Sequence, residues 1–128
     1  MFGNYQHSEL RIEVDANEQQ LRTALTETAN LRQWLWPQQL SAGMPGQLQE
    51  GTLFSSWSGP IEVQHHIDVL SSNGIRFVLS KGIDGYHEWF WGEGWIQSRL
   101  EGITLLPLNF GQTLTLLRLQ LFLQQPKL

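Results

Sequence analysis

Apolar and polar residues alternate near the start of the chain: Leu10, Ile12 and Val14 are interleaved with Glu9, Arg11, Glu13 and Asp15. A period of two predicts a half-buried strand. Asn17 then caps a predicted helix, with Gln20 three residues on to complete a capping box. Leu21, Ala24, Leu25 and Thr28 recur at helical spacing. Asn30 restarts a short second helix carrying Leu31, Trp34 and Leu35, and Pro37 stops it. Residues 37–46 hold Pro37, Gly43, Pro45 and Gly46 and read as a loop.

A run of strands follows. Residues 48–57 form one, and Ser58-Gly59-Pro60 a turn. Ile61, Val63, His65, Ile67 and Val69 make the apolar face of the next; Glu62, Gln64, His66 and Asp68 make its polar face. Asn73-Gly74 signals a hairpin into a strand over 75–80. A two-residue loop there pairs Leu70 with Phe77 and Asp68 with Leu79, which puts two large apolar side chains on the polar face. One more loop residue, or a bulge, gathers Phe77 and Leu79 with Ile67 and Val69, and that reading is preferred because it buries the apolar set together.

Residues 82–102 pack Tyr86, Trp89, Phe90, Trp91 and Trp95 around Gly92-Glu93-Gly94. They read as a β-hairpin with a three-residue loop, pairing Trp91 with Trp95, Trp89 with Gln97 and His87 with Arg99. The opposite face then carries Phe90 with Ile96, Glu88 with Ser98 and Tyr86 with Leu100. So much apolar area on both faces has to be covered by a core, a cavity or an interface. Which face is concave stays open. The tail, 112–125, also admits two readings. Leu117, Leu119, Leu121 and Leu123 alternate as in a strand, whereas Phe110, Leu114, Leu117 and Leu121 recur as in a helix. Strands already precede it, and Pro107 and Gly111 break the sheet, so a C-terminal helix is expected.

Composition narrows the class. The 128 residues suit one domain over 1–128. The formal net charge of −4 is scattered, with no basic stripe, which disfavours a nucleic-acid partner. There is no cysteine, so disulfides, thiolate zinc sites and a Cys nucleophile are excluded. No secretory leader pattern opens the chain, and the apolar run over 114–123 is too short and interrupted to span a bilayer. A cytoplasmic protein without membrane insertion is expected.

Three segments carry a family likeness. Val14-Asp15-Ala16-Asn17 runs from a strand into a helix, Asn30-Leu31-Arg32-Gln33-Trp34-Leu35 has the form Asn-Leu-x-x-Trp, and Gly92-Glu93-Gly94 sits in a late hairpin. Together with the element order, they resemble the START-like helix-grip superfamily and, within it, the polyketide cyclase/dehydrase and lipid-transport family (SRPBCC). The resemblance implies an α+β fold: a curved antiparallel sheet of about six strands, two short helices after the first strand, and a C-terminal helix gripped over an apolar cavity. It implies no particular activity. Two departures stand out. The terminal helix is short for the family, so the cavity would be open or closed by a second subunit, and the Trp-rich hairpin is heavier.

No catalytic motif is present. His65 and His66 are adjacent on a strand and point to opposite faces, so they do not chelate one metal together. His65 shares its face with Ile61, Val63 and Ile67; its ordinary use is as a satisfied core group, and facing a cavity it would be the best candidate general base. Glu88, between Tyr86 and Phe90, is a candidate acid, with pairing or rim exposure as its ordinary use. Arg99 and Arg76 are able to hold a carboxylate or phosphate, or to pair with Glu101, Asp84 or Glu88.

The favoured expectation is a binding domain for a small hydrophobic molecule, such as a lipid, isoprenoid or aromatic polyketide. Trp57, His65, Phe77, Trp89, Phe90 and Arg99 are its candidate contacts. A second expectation is a cyclase- or dehydratase-type enzyme using His65 or Glu88. A third is an interaction domain or homodimer built on the Trp-rich hairpin. No cofactor and no metal is expected.

Overall fold

The computed structural model describes residues 3–125; residues 1, 2 and 126–128, the ends of the expected 1–128 domain, lie outside the described residues. Strand β1 (Asn4–Glu13) leads into helices α1 (Glu18–Thr26) and α2 (Thr28–Trp34). The expected capping box forms: Gln20 N–H donates to the Asn17 side chain and Asn17 N–H to the Gln20 side chain, each at 2.8 Å. Glu27 adopts an extended conformation and breaks the helices apart. The second helix therefore starts at Thr28 instead of Asn30, with Thr28 N–H held by the Gly46 carbonyl.

Six further strands precede the last helix: β2 (Gln39–Leu40), β3 (Leu53–Ser58), β4 (Ile61–Leu70), β5 (Gly74–Lys81), β6 (Asp84–Gly92) and β7 (Trp95–Thr104), then α3 (Leu108–Leu123). They form one seven-stranded antiparallel sheet in the order β1-β7-β6-β5-β4-β3-β2. The curved sheet with α3 packed on it is a helix-grip α+β fold. The strand beyond the expected six is β2, within the segment that reads as a loop. The strand expected from residue 48 begins at Leu53; Leu48 is a buried core residue whose N–H reaches the Thr26 carbonyl.

Between β4 and β5 the preferred bulge is present. Ile67 pairs with Phe77 and His65 with Leu79, and the register shifts between Ile67 and Val69. The bulge turns Val69 away from the apolar face it was expected to share, and its side chain is exposed.

The β6–β7 hairpin departs from expectation by one residue. Gly92 pairs with Trp95, Trp91 with Ile96, Trp89 with Ser98, Glu88 with Arg99 and His87 with Leu100. The loop is Glu93-Gly94 alone, with Gly94 at φ +78°. Gly92 is needed for a different reason: a Cβ there would fall 2.5 Å from the Trp95 indole nitrogen. The Trp95 ring thus covers Gly92, and the Arg11 guanidinium lies 4.1 Å from the ring centroid. In this register Trp89 and Trp91 share the concave face with Ile96, Ser98 and Leu100, whereas Glu88, Phe90 and Tyr86 share the convex face with Gln97 and Arg99.

The tail is helical, as expected, but it packs through another face. Leu108, Gln112, Leu116 and Leu119 are buried, whereas Phe110 is 63% exposed and Leu121 64%. Leucines occur on both sides of α3, so apolar spacing alone does not choose between them.

Candidate functional site

Between the concave face of the sheet and α3 lies an apolar pocket of about 250 Å3. Its floor is Phe54 of β3, His65 of β4, Phe77 of β5, His87 and Trp89 of β6 and Leu100 of β7. Leu108, Gly111, Gln112 and Thr115 of α3 cover it, and Leu31, Trp34 and Leu35 form a side wall. Strand alternation selects these residues: every second side chain of β3 to β7 points inward.

The floor is a continuous row of rings. His65 stacks on Phe54 at 4.7 Å between centroids and meets Phe77 edge-on at 5.6 Å. Phe77 continues to His87 at 6.2 Å, and His87 to Trp89 at 4.9 Å. Trp34 closes the row edge-on against Trp89 at 6.3 Å, with its indole N–H donated to the Ala24 carbonyl.

Each of the two pocket histidines has a serine partner. His65 Nε2 lies 2.9 Å from Ser56 Oγ, and His87 Nε2 lies 2.9 Å from Ser98 Oγ. Burial pushes the His65 pKa down to about 4. Burial, and secondarily repulsion from His65 once that ring is protonated in acid, pushes His87 down to about 3. Both rings are therefore neutral at pH 7. Behind His87 the polar chain continues. Gln112 Nε2 lies 3.0 Å from Ser98 Oγ, Ser8 Oγ donates to Gln112 Oε1 at 2.6 Å, and Asn109 donates to Ser8 Oγ at 2.8 Å.

Of the residues singled out by sequence, His65, Phe77 and Trp89 are brought together on the pocket floor. Trp57 pairs with Glu62 on the opposite face of β3, out of phase with the pocket-lining Phe54 and Ser56. Phe90 is on the convex face and 41% exposed. Arg99 lies opposite Glu88 on that same convex face and within 3.8 Å of Glu101. Glu88 does not border the pocket. By sequence His87 falls beside Arg99, with no place in the site, whereas it pairs with Leu100; Ser56, Ser98 and Gln112 have no chemical signal in the sequence. His87 sits two residues before Trp89 and so shares its face, which becomes informative once that face is known to be concave.

No protein-family model and no curated protein sequence matches the chain. Solved structures do match in fold. One is DynU16, from the dynemicin biosynthetic locus, with TM-score 0.70, 16% identity and 93% of this chain aligned to 47% of that one. This chain thus spans about half the length of DynU16. The Aha1 dimer from Colwellia psychrerythraea gives TM-score 0.67 at 15% identity, covering 93% of this chain and 96% of that one. Truncated norcoclaurine synthase from Thalictrum flavum gives 0.70 at 12% identity, covering 99% and 98%. At these identities the likeness is one of fold: a curved sheet gripping a C-terminal helix. Among the described residues no helix is long and apolar enough to cross a membrane.

Proposed function

We propose that this protein binds a small hydrophobic molecule in the pocket between the sheet and α3, as a member of the START-like, SRPBCC-type superfamily. The observation that carries this reading is open space at the centre of the fold: Trp89 and Trp91 pack into the core and still leave about 250 Å3 under α3. An apolar cavity of about 150 Å3 takes benzene, and pockets for drug-sized ligands begin near 300 Å3. The size therefore suits one or two rings, or a short isoprenoid, and is too small for a whole diacyl lipid. Affinity comes from buried apolar area, at about 25 cal/mol per Å2. His65, Phe77, Trp89 and His87 are the proposed contacts. Trp57, Phe90 and Arg99 are not.

Native mass spectrometry of the protein purified from cells, against a denatured control, tests this reading. A retained adduct of small-molecule mass supports it. A bare chain that also takes up nothing from an aromatic and isoprenoid mixture contradicts it.

Proton transfer is a second reading, favoured by the His65–Ser56 pair facing an apolar pocket. A neutral imidazole there is able to accept a proton from a carbon acid. Fold neighbours include a named synthase, which is compatible with this reading. Deuterium uptake next to the carbonyl of a bound ketone in D2O, lost in His65→Phe, supports it; exchange at the solvent rate contradicts it.

A further inference from the structure

Gln112 fixes where the His87 proton sits. Its Nε2 lies 3.0 Å from the Ser98 carbonyl oxygen and 3.3 Å from the Ser8 carbonyl oxygen. Both neighbours are acceptors, so this atom is the amide nitrogen. The same nitrogen is 3.0 Å from Ser98 Oγ and offers that hydroxyl no lone pair. Ser98 is fully buried, and its O–H is directed to its other neighbour, His87 Nε2, at 2.9 Å. Nε2 therefore accepts, and the neutral ring carries its proton on Nδ1.

That Nδ1–H has no acceptor among the described residues. The buried side-chain nitrogens sealed without a partner are Arg76 Nε and Trp91 Nε1. His87 Nδ1 is not among them, and the ring borders the pocket. The pocket thus contains a donor of fixed identity at His87 Nδ1, alongside the side-chain amide of Gln38. Its other polar members are serine, threonine, glutamine and histidine side chains, and no Asp, Glu, Lys or Arg among the described residues lines it. An ionised ligand would lose its hydration there without a counter-charge. A pure hydrocarbon would leave the His87 N–H unpaired.

We infer that the pocket selects an uncharged molecule of one or two rings bearing a carbonyl-type oxygen that accepts a hydrogen bond from His87 Nδ1. This rests on the binding function proposed above and adds the chemical class of the ligand to it.

A matched trio of probes tests it by calorimetric titration of the full chain: 1-tetralone, tetralin and 4-phenylbutyrate. All three have ten carbons and one benzene ring; tetralin and 1-tetralone share a fused bicycle and differ in the carbonyl oxygen, and 4-phenylbutyrate is the ring-opened carboxylate. The expected result is binding of 1-tetralone about 5- to 10-fold tighter than tetralin, as one neutral hydrogen bond provides. The carboxylate is expected to bind weakest. His87→Phe keeps a ring and removes the donor, and in it the ketone advantage disappears while tetralin still binds. Ring-nitrogen NMR of the wild-type protein reads the tautomer whether or not that variant folds. A proton on Nδ1 supports the inference and a proton on Nε2 overturns it. Equal affinity for tetralone and tetralin, or tightest binding of the carboxylate, overturns the ligand class while leaving the binding function in place. Failure of all three probes to bind overturns the ligand class, and the binding function itself falls if the chain also takes up nothing from the aromatic and isoprenoid mixture.

Discussion

Gln112 of α3 and Ser98 of β7 are joined twice, from the amide nitrogen to the carbonyl oxygen and to the hydroxyl oxygen of the serine, each at 3.0 Å. This clasp stands beside further polar links from α3 to β1, from Asn109 to Ser8 and from the Leu108 N–H to Gln6. It fixes the height of α3 over the pocket and, through Ser98, the orientation of His87.

Replacing the clasp by an apolar side chain of similar length should be costly. Gln112→Met leaves the Ser8 hydroxyl and two buried carbonyls without their partner. A loss of about 2–4 kcal/mol is expected, on the scale of a few orphaned buried polar groups. Urea unfolding measures it, and a loss below about 0.5 kcal/mol would show that the clasp does not hold the helix.

The two faces of α3 should respond unequally. Leu119 is 0% exposed and Leu117 is 50% exposed. Leu119→Ala should cost about 2–5 kcal/mol, as buried leucine truncations do. Leu117→Ala should stay within about 0.5 kcal/mol. Comparable losses at both positions would contradict the helix orientation.

Stability should fall with acid in a defined window. Both pocket histidines have folded pKa values below their ordinary 6.5, near 4 for His65 and near 3 for His87. Above pH 6.5 neither state takes up a proton and the pair has no effect. As pH falls below 6.5 the unfolded chain protonates first, so stability drops. The drop ends near pH 4 for His65 and near pH 3 for His87. Each histidine contributes a slope approaching about 1.4 kcal/mol per pH unit inside its window. Thermal melts between pH 7 and 4 check this, and His87→Phe should make the slope shallower. A flat profile would mean that the rings are solvated.

Access to the pocket should be blockable at Gly111. This glycine borders the pocket, and a Cβ there meets nothing within 4 Å. Gly111→Trp is expected to weaken tetralin binding at least about tenfold by occupying the apolar volume, with Tm unchanged or raised, since glycine within a helix is a weak choice. Arg99→Ala, on the convex face, should leave binding within about twofold, because it removes no pocket contact. The reverse ranking in a fluorescence titration would relocate the site.

Much of the frame was legible in the sequence because local rules and burial agree there. The Asn17–Gln20 capping box, the alternation in β1 and the bulge that gathers Phe77 with Ile67 each follow from one physical requirement. The hairpin register was not legible, because Gly92 and Gly94 look alike in sequence while serving different needs. Gly94 turns the chain, and Gly92 makes room for the Trp95 ring. The one-residue shift moves Arg99 from His87 to Glu88. The buried side of α3 was hidden by leucines on both faces, with Gln112, a polar residue, in the buried row. His87 belongs to the site through its contact with Ser98, which Gln112 holds in turn, and only the folded chain creates both.

An apolar molecule in the concave pocket is expected to perturb the rings that line it. The most direct test is NMR of the aromatic and indole groups during titration with tetralin. Saturable shifts concentrated on Trp34, Phe77, His87 and Trp89 are the predicted result. Shifts confined to Phe90 and Trp95 on the convex face, or no saturable shift at all, would contradict it.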